Sequence, residues 1–172
     1  MQFERFQSEL SAEQNTAIER AYLSQKNNKD VVKTHYINGR FENVYLQREQ
    51  FPYLPQLLDE AIKYAMQTLD SKAPLKVGFW FNEMQVGDTT SAHTHEEDDE
   101  LLSGVYYLSV PIDSGSLVVG GGLVNNEINN ECIKLTPKKG EFIFFSPKLL
   151  HSVEKNKSSQ MRLSIGLNFG LA

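Results

Sequence analysis

The chain has 172 residues, 40% hydrophobic and 23% charged, with a formal net charge of −5. That is the composition of an ordinary globular protein with enough chain to bury a core, and it excludes disordered and fibrous classes. With a pI near 5.4, the chain lacks the basic face that nucleic acid or an anionic membrane would require, and no apolar run nears the roughly 18 residues of a bilayer span.

The start, MQFERFQSEL, lacks the basic-then-apolar order of a secretory signal. A single cysteine, Cys132, has no partner for an internal disulfide, which fits a reducing compartment. A cytoplasmic protein is therefore expected, with Cys132 a buried or half-buried structural thiol in the strand-like run ECIKLT.

Ser11 to Gln14 reads SAEQ, a capping box, and apolar residues follow at Ala17, Ile18, Ala21 and Tyr22, so residues 12–26 are predicted helical. Two strand-like runs, VVKTHYI and RFENVYLQ, flank Asn38-Gly39 and predict a hairpin. His35 lies on the first run and, with no ligand-type residue spaced around it, is given no chemistry. From Pro52 to Leu69 the residues Leu54, Leu57, Leu58, Ala61, Ile62 and Ala65 form one stripe, an amphipathic helix suited to covering a sheet.

From Leu75 onward the pattern is strand-like: LKVGFWFNEMQ, SGVYYLSV, SLVVG, CIKLT, EFIFFS, a short run at His151, and MRLSIGLNFG, separated by Gly- and Pro-containing turns. Helices followed by many short strands predict a mainly β fold with flanking α-helices, a sandwich or barrel. The expected organisation is a single domain over 1–172, with a helical and hairpin elaboration at 1–74 and a β core at 75–172.

Residues i and i+2 of a strand share a face, so His93 and His95 would aim at one point, and Glu97 would share that direction if the strand continued. His151, from a distant strand, would complete an open three-ligand set of the kind that suits iron or another first-row metal. In MRLSIGLNF, Arg162, Ser164 and Asn168 alternate with Leu163, Ile165, Leu167 and Phe169, giving one polar and one apolar face. An arginine aimed into a barrel needs an anion, and its planar fork matches a carboxylate.

Taken together, the H-x-H motif, the SGVYYL strand, GEFIFFSP, His151 and Arg162-x-Ser164 resemble the iron(II)- and 2-oxoglutarate-dependent oxygenases, most closely a small branch of marine bacteria and their phages. The resemblance covers roughly Phe79 to Phe169. It implies a double-stranded β-helix, the jelly-roll barrel of cupin-like proteins. It also implies Fe(II) and the cosubstrate 2-oxoglutarate, an O2-dependent hydroxylation of a small-molecule or peptide substrate, and release of succinate.

His93 and His151 would then be metal ligands, Arg162 with Ser164 would hold the distal carboxylate of 2-oxoglutarate, and Tyr107 and Asn82 would line the pocket. Most of these enzymes carry His-x-Asp or His-x-Glu. Here either His95 completes a set of three histidines, or His95 and Glu97 form the motif with His93 outside it. Two other readings remain: a three-histidine cupin-type dioxygenase that does not use 2-oxoglutarate, and a jelly roll that only binds. The acidic run Glu96 to Glu100 is a solvated loop, or draws a cationic substrate; with bound 2-oxoglutarate it could also compensate the charge of +2 that three neutral imidazoles would leave on iron(II). Exposed edge strands would permit a homodimer.

Overall fold

The structure is a computed structural model that describes residues 3–95, 99–124 and 127–172, and side chains outside 122–130. In chain order the elements are β1 (Phe3–Gln7), α1 (Ala12–Gln25), β2 (Val32–Ile37), β3 (Arg40–Tyr45), a single 3-10 turn, α2 (Leu54–Thr68), β4 (Leu75–Met84) and β5 (Thr90–His93). Then follow β6 (Leu102–Ser109), β7 (Leu117–Val124), β8 (Glu127–Leu135), β9 (Glu141–Phe145), β10 (His151–Val153) and β11 (Arg162–Leu171). A seven-stranded sheet runs β1-β9-β6-β11-β4-β3-β2, and a four-stranded sheet runs β5-β10-β7-β8. The pairings are antiparallel.

Local chemistry places the helices where the sequence predicts them. Ser11 accepts from Gln14 N–H while the Gln14 side chain accepts from Ser11 N–H, closing the capping box at the start of α1. The α2 stripe buries Leu54, Leu57, Leu58, Ala61 and Ala65 against the large sheet, where Phe81, Ile165, Leu167 and Phe169 meet them. The β2–β3 hairpin turns at Asn38 (φ 51°) and Gly39 (φ 85°), two left-handed residues as a tight primed turn requires.

The other face of the large sheet looks at the small one. Tyr107, Ile143 and Phe145 pack there with Leu117, Val119 and Leu135. Two cores thus sandwich the seven-stranded sheet, one under the helices and one between the sheets. Cys132 departs from expectation: it is exposed, in the middle of β8 opposite Gly120, whose carbonyl its thiol reaches. β1 was not expected either. Phe3 and Phe6 do not alternate, and the strand exists because β9 offers it an edge, with Arg5 bonding both oxygens of Glu141.

Candidate metal centre

β5 and β10 pair so that His93 sits opposite His151. β5 ends at His93, so His95 does not project from a continued strand; its own N–H donates to the Pro147 carbonyl at 2.9 Å, which turns the chain back over the site. The ring centroids lie 5.3 Å apart for His93 and His95, 4.2 Å for His93 and His151, and 5.1 Å for His95 and His151. One nitrogen from each lies within 4.8 Å of the others, a group that could hold a metal ion. Glu97 lies outside the described residues.

The other ring nitrogens are occupied. His93 Nδ1 is 2.8 Å from the Ser91 carbonyl and His151 Nδ1 is 2.9 Å from the Leu149 carbonyl. His95 Nδ1 is 2.9 Å from both oxygens of Glu100. Carbonyls accept and do not donate, so Nδ1 carries a proton in His93 and His151, and in the neutral ring Nε2 then keeps its lone pair. Burial pushes the His151 pKa down to about 4, against the pull of the Leu149 carbonyl and with help from the neighbouring imidazoles, so the ring is neutral near pH 7.

Strand β11 supplies the opposite wall. Leu163, Ile165, Leu167 and Phe169 turn toward the helices, whereas Arg162, Ser164, Gly166 and Asn168 line the cavity, the alternation read from the sequence. Arg162 is 1% exposed and, among the described residues, faces no carboxylate. Its Nη1 donates to the carbonyls of Ser114 (3.3 Å) and Gly115 (2.7 Å), and its guanidinium lies 5.2 Å from the Tyr107 ring centre. Burial lowers its pKa and raises that of Tyr107 to about 12, the Arg162 charge countering the latter. Ser164 pairs across with Asn82 on one side and Tyr107 on the other.

Seven of the eight residues proposed from sequence, all but Glu97, line one cavity of about 630 Å³. Asn82 is already engaged there, accepting from Arg40 and donating to Thr90. The cavity also takes in residues that periodicity did not single out: His35, Glu42, Trp80 and Glu100. Glu42 accepts from the Ser91 N–H and hydroxyl, with Arg40 at 3.8 Å. Trp80 lies across Gly166, where a Cβ would come within 2.3 Å of the indole. A run of five acids hides Glu100 in the sequence, and nothing in its spacing marks it.

A family profile described as "Putative 2OG-Fe(II) oxygenase" matches residues 78–168, which is more than half of the chain and includes the three histidines, Arg162 and Ser164. The chain belongs to the 2-oxoglutarate–iron(II) oxygenase family. Solved structures of low identity share its fold. The non-heme alpha ketoglutarate dependent carbocyclase SnoK from nogalamycin biosynthesis is 16% identical, with a TM-score of 0.78 over 99% of this chain and 79% of that one. A Pseudomonas putida prolyl-4-hydroxylase is 17% identical, with a TM-score of 0.73 over 98% and 92%. A prolyl hydroxylase from Trichoplax adhaerens, in complex with a hypoxia inducible factor peptide fragment, is 14% identical, with a TM-score of 0.68 over 98% and 83%. No curated protein matches the sequence. The shared fold is the double-stranded β-helix.

The residues of this oxygenase fit its cofactors. The imidazole nitrogens suit a first-row divalent metal and leave coordination positions open. The Tyr107 hydroxyl, the Ser114 hydroxyl and Arg162 Nε are buried without a hydrogen-bond partner among the described residues. Buried polar atoms are seldom left so, and an uncompensated guanidinium beside them fits an anion such as a dicarboxylate. No helix among the described residues is long and apolar enough to cross a membrane.

Proposed function

We propose that the protein hydroxylates a small-molecule or peptide substrate, with His93, His95 and His151 as the iron ligands and Arg162 as the anchor of 2-oxoglutarate. The observation that carries this reading is the buried Arg162, at the wall of the same cavity as the three histidines and without an anionic partner among the described residues. When bound, iron(II) and 2-oxoglutarate supply the oxidising chemistry, in which oxidative decarboxylation to succinate and carbon dioxide is coupled to oxygenation of the substrate by O2.

The chain's own contribution is placement. The Ser91 and Leu149 carbonyls hold His93 and His151 with Nε2 free for a metal. Arg162 would take the distal carboxylate through Nε, with the Ser164 and Tyr107 hydroxyls beside it. Asn82, tied to Arg40 and Thr90, shapes the wall. Phe145, packed on His151 at 4.7 Å between ring centres, limits water on one side of the site. No protein base is needed.

A three-histidine centre that oxidises a substrate without 2-oxoglutarate has the same imidazoles in its favour, but it leaves Arg162 with no task. The rest of the reading is one domain in the cytoplasm. The open edge of β2, with Val32 and Tyr36 exposed, leaves room for a homodimer. The test is anaerobic addition of 2-oxoglutarate to the iron(II) protein. A visible charge-transfer band is expected, and folded, iron-loaded protein without one rules the reading out.

A further inference from the structure

We infer that Glu100 is a positioning residue of the metal centre, delivering through His95 the negative charge that a ligand carboxylate would otherwise provide. The inference rests on the three-histidine assignment proposed above and adds to it a residue that contacts neither metal nor cosubstrate.

The Glu100 side chain is 4% exposed and both its oxygens lie 2.9 Å from His95 Nδ1. The Ser103 hydroxyl donates to it at 2.6 Å. Among the described residues no lysine or arginine lies within ion-pair distance of it, and His95 is its one ion-pair partner. Of the other buried carboxylates, Glu42 has Arg40 at 3.8 Å and Glu141 has Arg5 at 2.7 Å, while Glu60 on α2 is held by the Ser8 hydroxyl and the Glu9 N–H; Glu100 alone of these faces an imidazole of the candidate metal centre. A carboxylate buried against a neutral imidazole is expensive. A divalent ion on the far nitrogen of that imidazole offsets the cost, because the charges then alternate along one line of bonds.

The three rings are also unequal. His93 and His151 give their Nδ1–H to carbonyls two residues back, whereas only His95 gives its Nδ1–H to a carboxylate. A carboxylate draws that proton more strongly, which raises the basicity of Nε2 and its donation to a metal. Three imidazoles bring no formal charge to a dication. Glu100 therefore restores, one ring removed, the charge of the acid that the H-x-H motif lacks.

Glu100→Gln preserves the shape, keeps an acceptor for Nδ1–H, and removes the charge. Anaerobic titration with manganese(II), followed by the electron paramagnetic resonance of the free ion, should show affinity about 10- to 100-fold weaker than wild type. The metal-free variant should melt no lower than wild type, because an uncompensated buried charge has gone. The charge-transfer band of its iron(II)–2-oxoglutarate complex should move to shorter wavelength, since the metal receives less electron density. Unchanged affinity with an unchanged band overturns the proposal, as does a lower melting temperature with unchanged affinity, which would make Glu100 a structural hydrogen-bond partner.

Wild-type protein that fails to bind manganese(II), or binding indifferent to both His93→Ala and His151→Ala, overturns instead the metal assignment beneath it. Should Glu100→Gln not fold, wild-type protein loaded with zinc(II) gives a second measurement. The Nδ1 proton of His95 should resonate downfield of those of His93 and His151, and equal shifts overturn the proposal.

Discussion

A guanidinium sealed from solvent, gripped at one end by two backbone carbonyls and open at Nε, is what the Arg162 position contributes to the cavity. Its replacement by methionine keeps most of the volume and removes the fork. We expect Arg162→Met to weaken 2-oxoglutarate binding to the manganese(II) protein by about 2–5 kcal/mol, read by anaerobic calorimetry. Binding within twofold of wild type would mean that the cosubstrate sits elsewhere. Tyr107 offers a finer probe, because its hydroxyl is buried and unpartnered. Tyr107→Phe should leave the unfolding midpoint of the ligand-free protein unchanged or raise its stability by up to about 1 kcal/mol, while loosening 2-oxoglutarate by about 0.5–1.5 kcal/mol. A marked loss of stability would show that the hydroxyl already has a partner.

At the level of elements, β11 is the strand on which both cores and the site depend, since it pairs with β4 and β6 over nearly its whole length. Gly166 is its narrow point: Trp80 crosses it, and an added methyl would meet the indole at 2.3 Å. Gly166→Ala should destabilise the fold by about 1–3 kcal/mol in a urea titration, or push Trp80 into the cavity and change its fluorescence. Neither change would mean that the indole has room to move.

The end of α1 is pinned to β4 by Lys26, 2.8 Å from Glu83. Burial raises the Glu83 pKa, but hydrogen bonds from Lys26, Gln85 and Tyr22 outweigh it, and the net shift is downward from 4.5. A depressed folded-state pKa means that this stabilisation is complete above the ordinary carboxyl value and disappears as pH falls through the lower, folded one. Glu83→Gln should therefore lose stability near neutral pH and show a shallower decline of melting temperature in acid; curves of identical slope would exclude the linkage.

For the whole molecule, ligands that bind only the native state raise its melting temperature. With manganese(II) and 2-oxoglutarate each at about a hundred times its dissociation constant, each contributes about 2.7 kcal/mol, or roughly 5–10 °C for a chain of this size. Differential scanning calorimetry should find the second increment only after the first, as expected if the metal completes the dicarboxylate's site. A 2-oxoglutarate shift that needs no metal would contradict that order.

Local periodicity was enough to predict α1, α2, the Asn38-Gly39 hairpin and the two faces of β11, because each depends on contacts a few residues apart or on the side to which alternate side chains turn. The residue types in H-x-H, His151 and Arg162-x-Ser164 likewise marked the residues that the fold brings to one cavity. β1 was illegible because its strand is made by pairing with β9, and Cys132 because exposure depends on what packs above β8. The sequence by itself therefore determined the mainly β class, the helical cover and which polar residues line the cavity. Tertiary structure alone decided that β5 stops at His93, that the Pro147 carbonyl carries His95 back toward His151, and that Glu100 stands behind His95. The physical reason is that a strand pattern encodes which way a side chain faces. Where two distant strands cross, and which carboxylate is sealed from water when they do, is set by the packing of the whole sandwich.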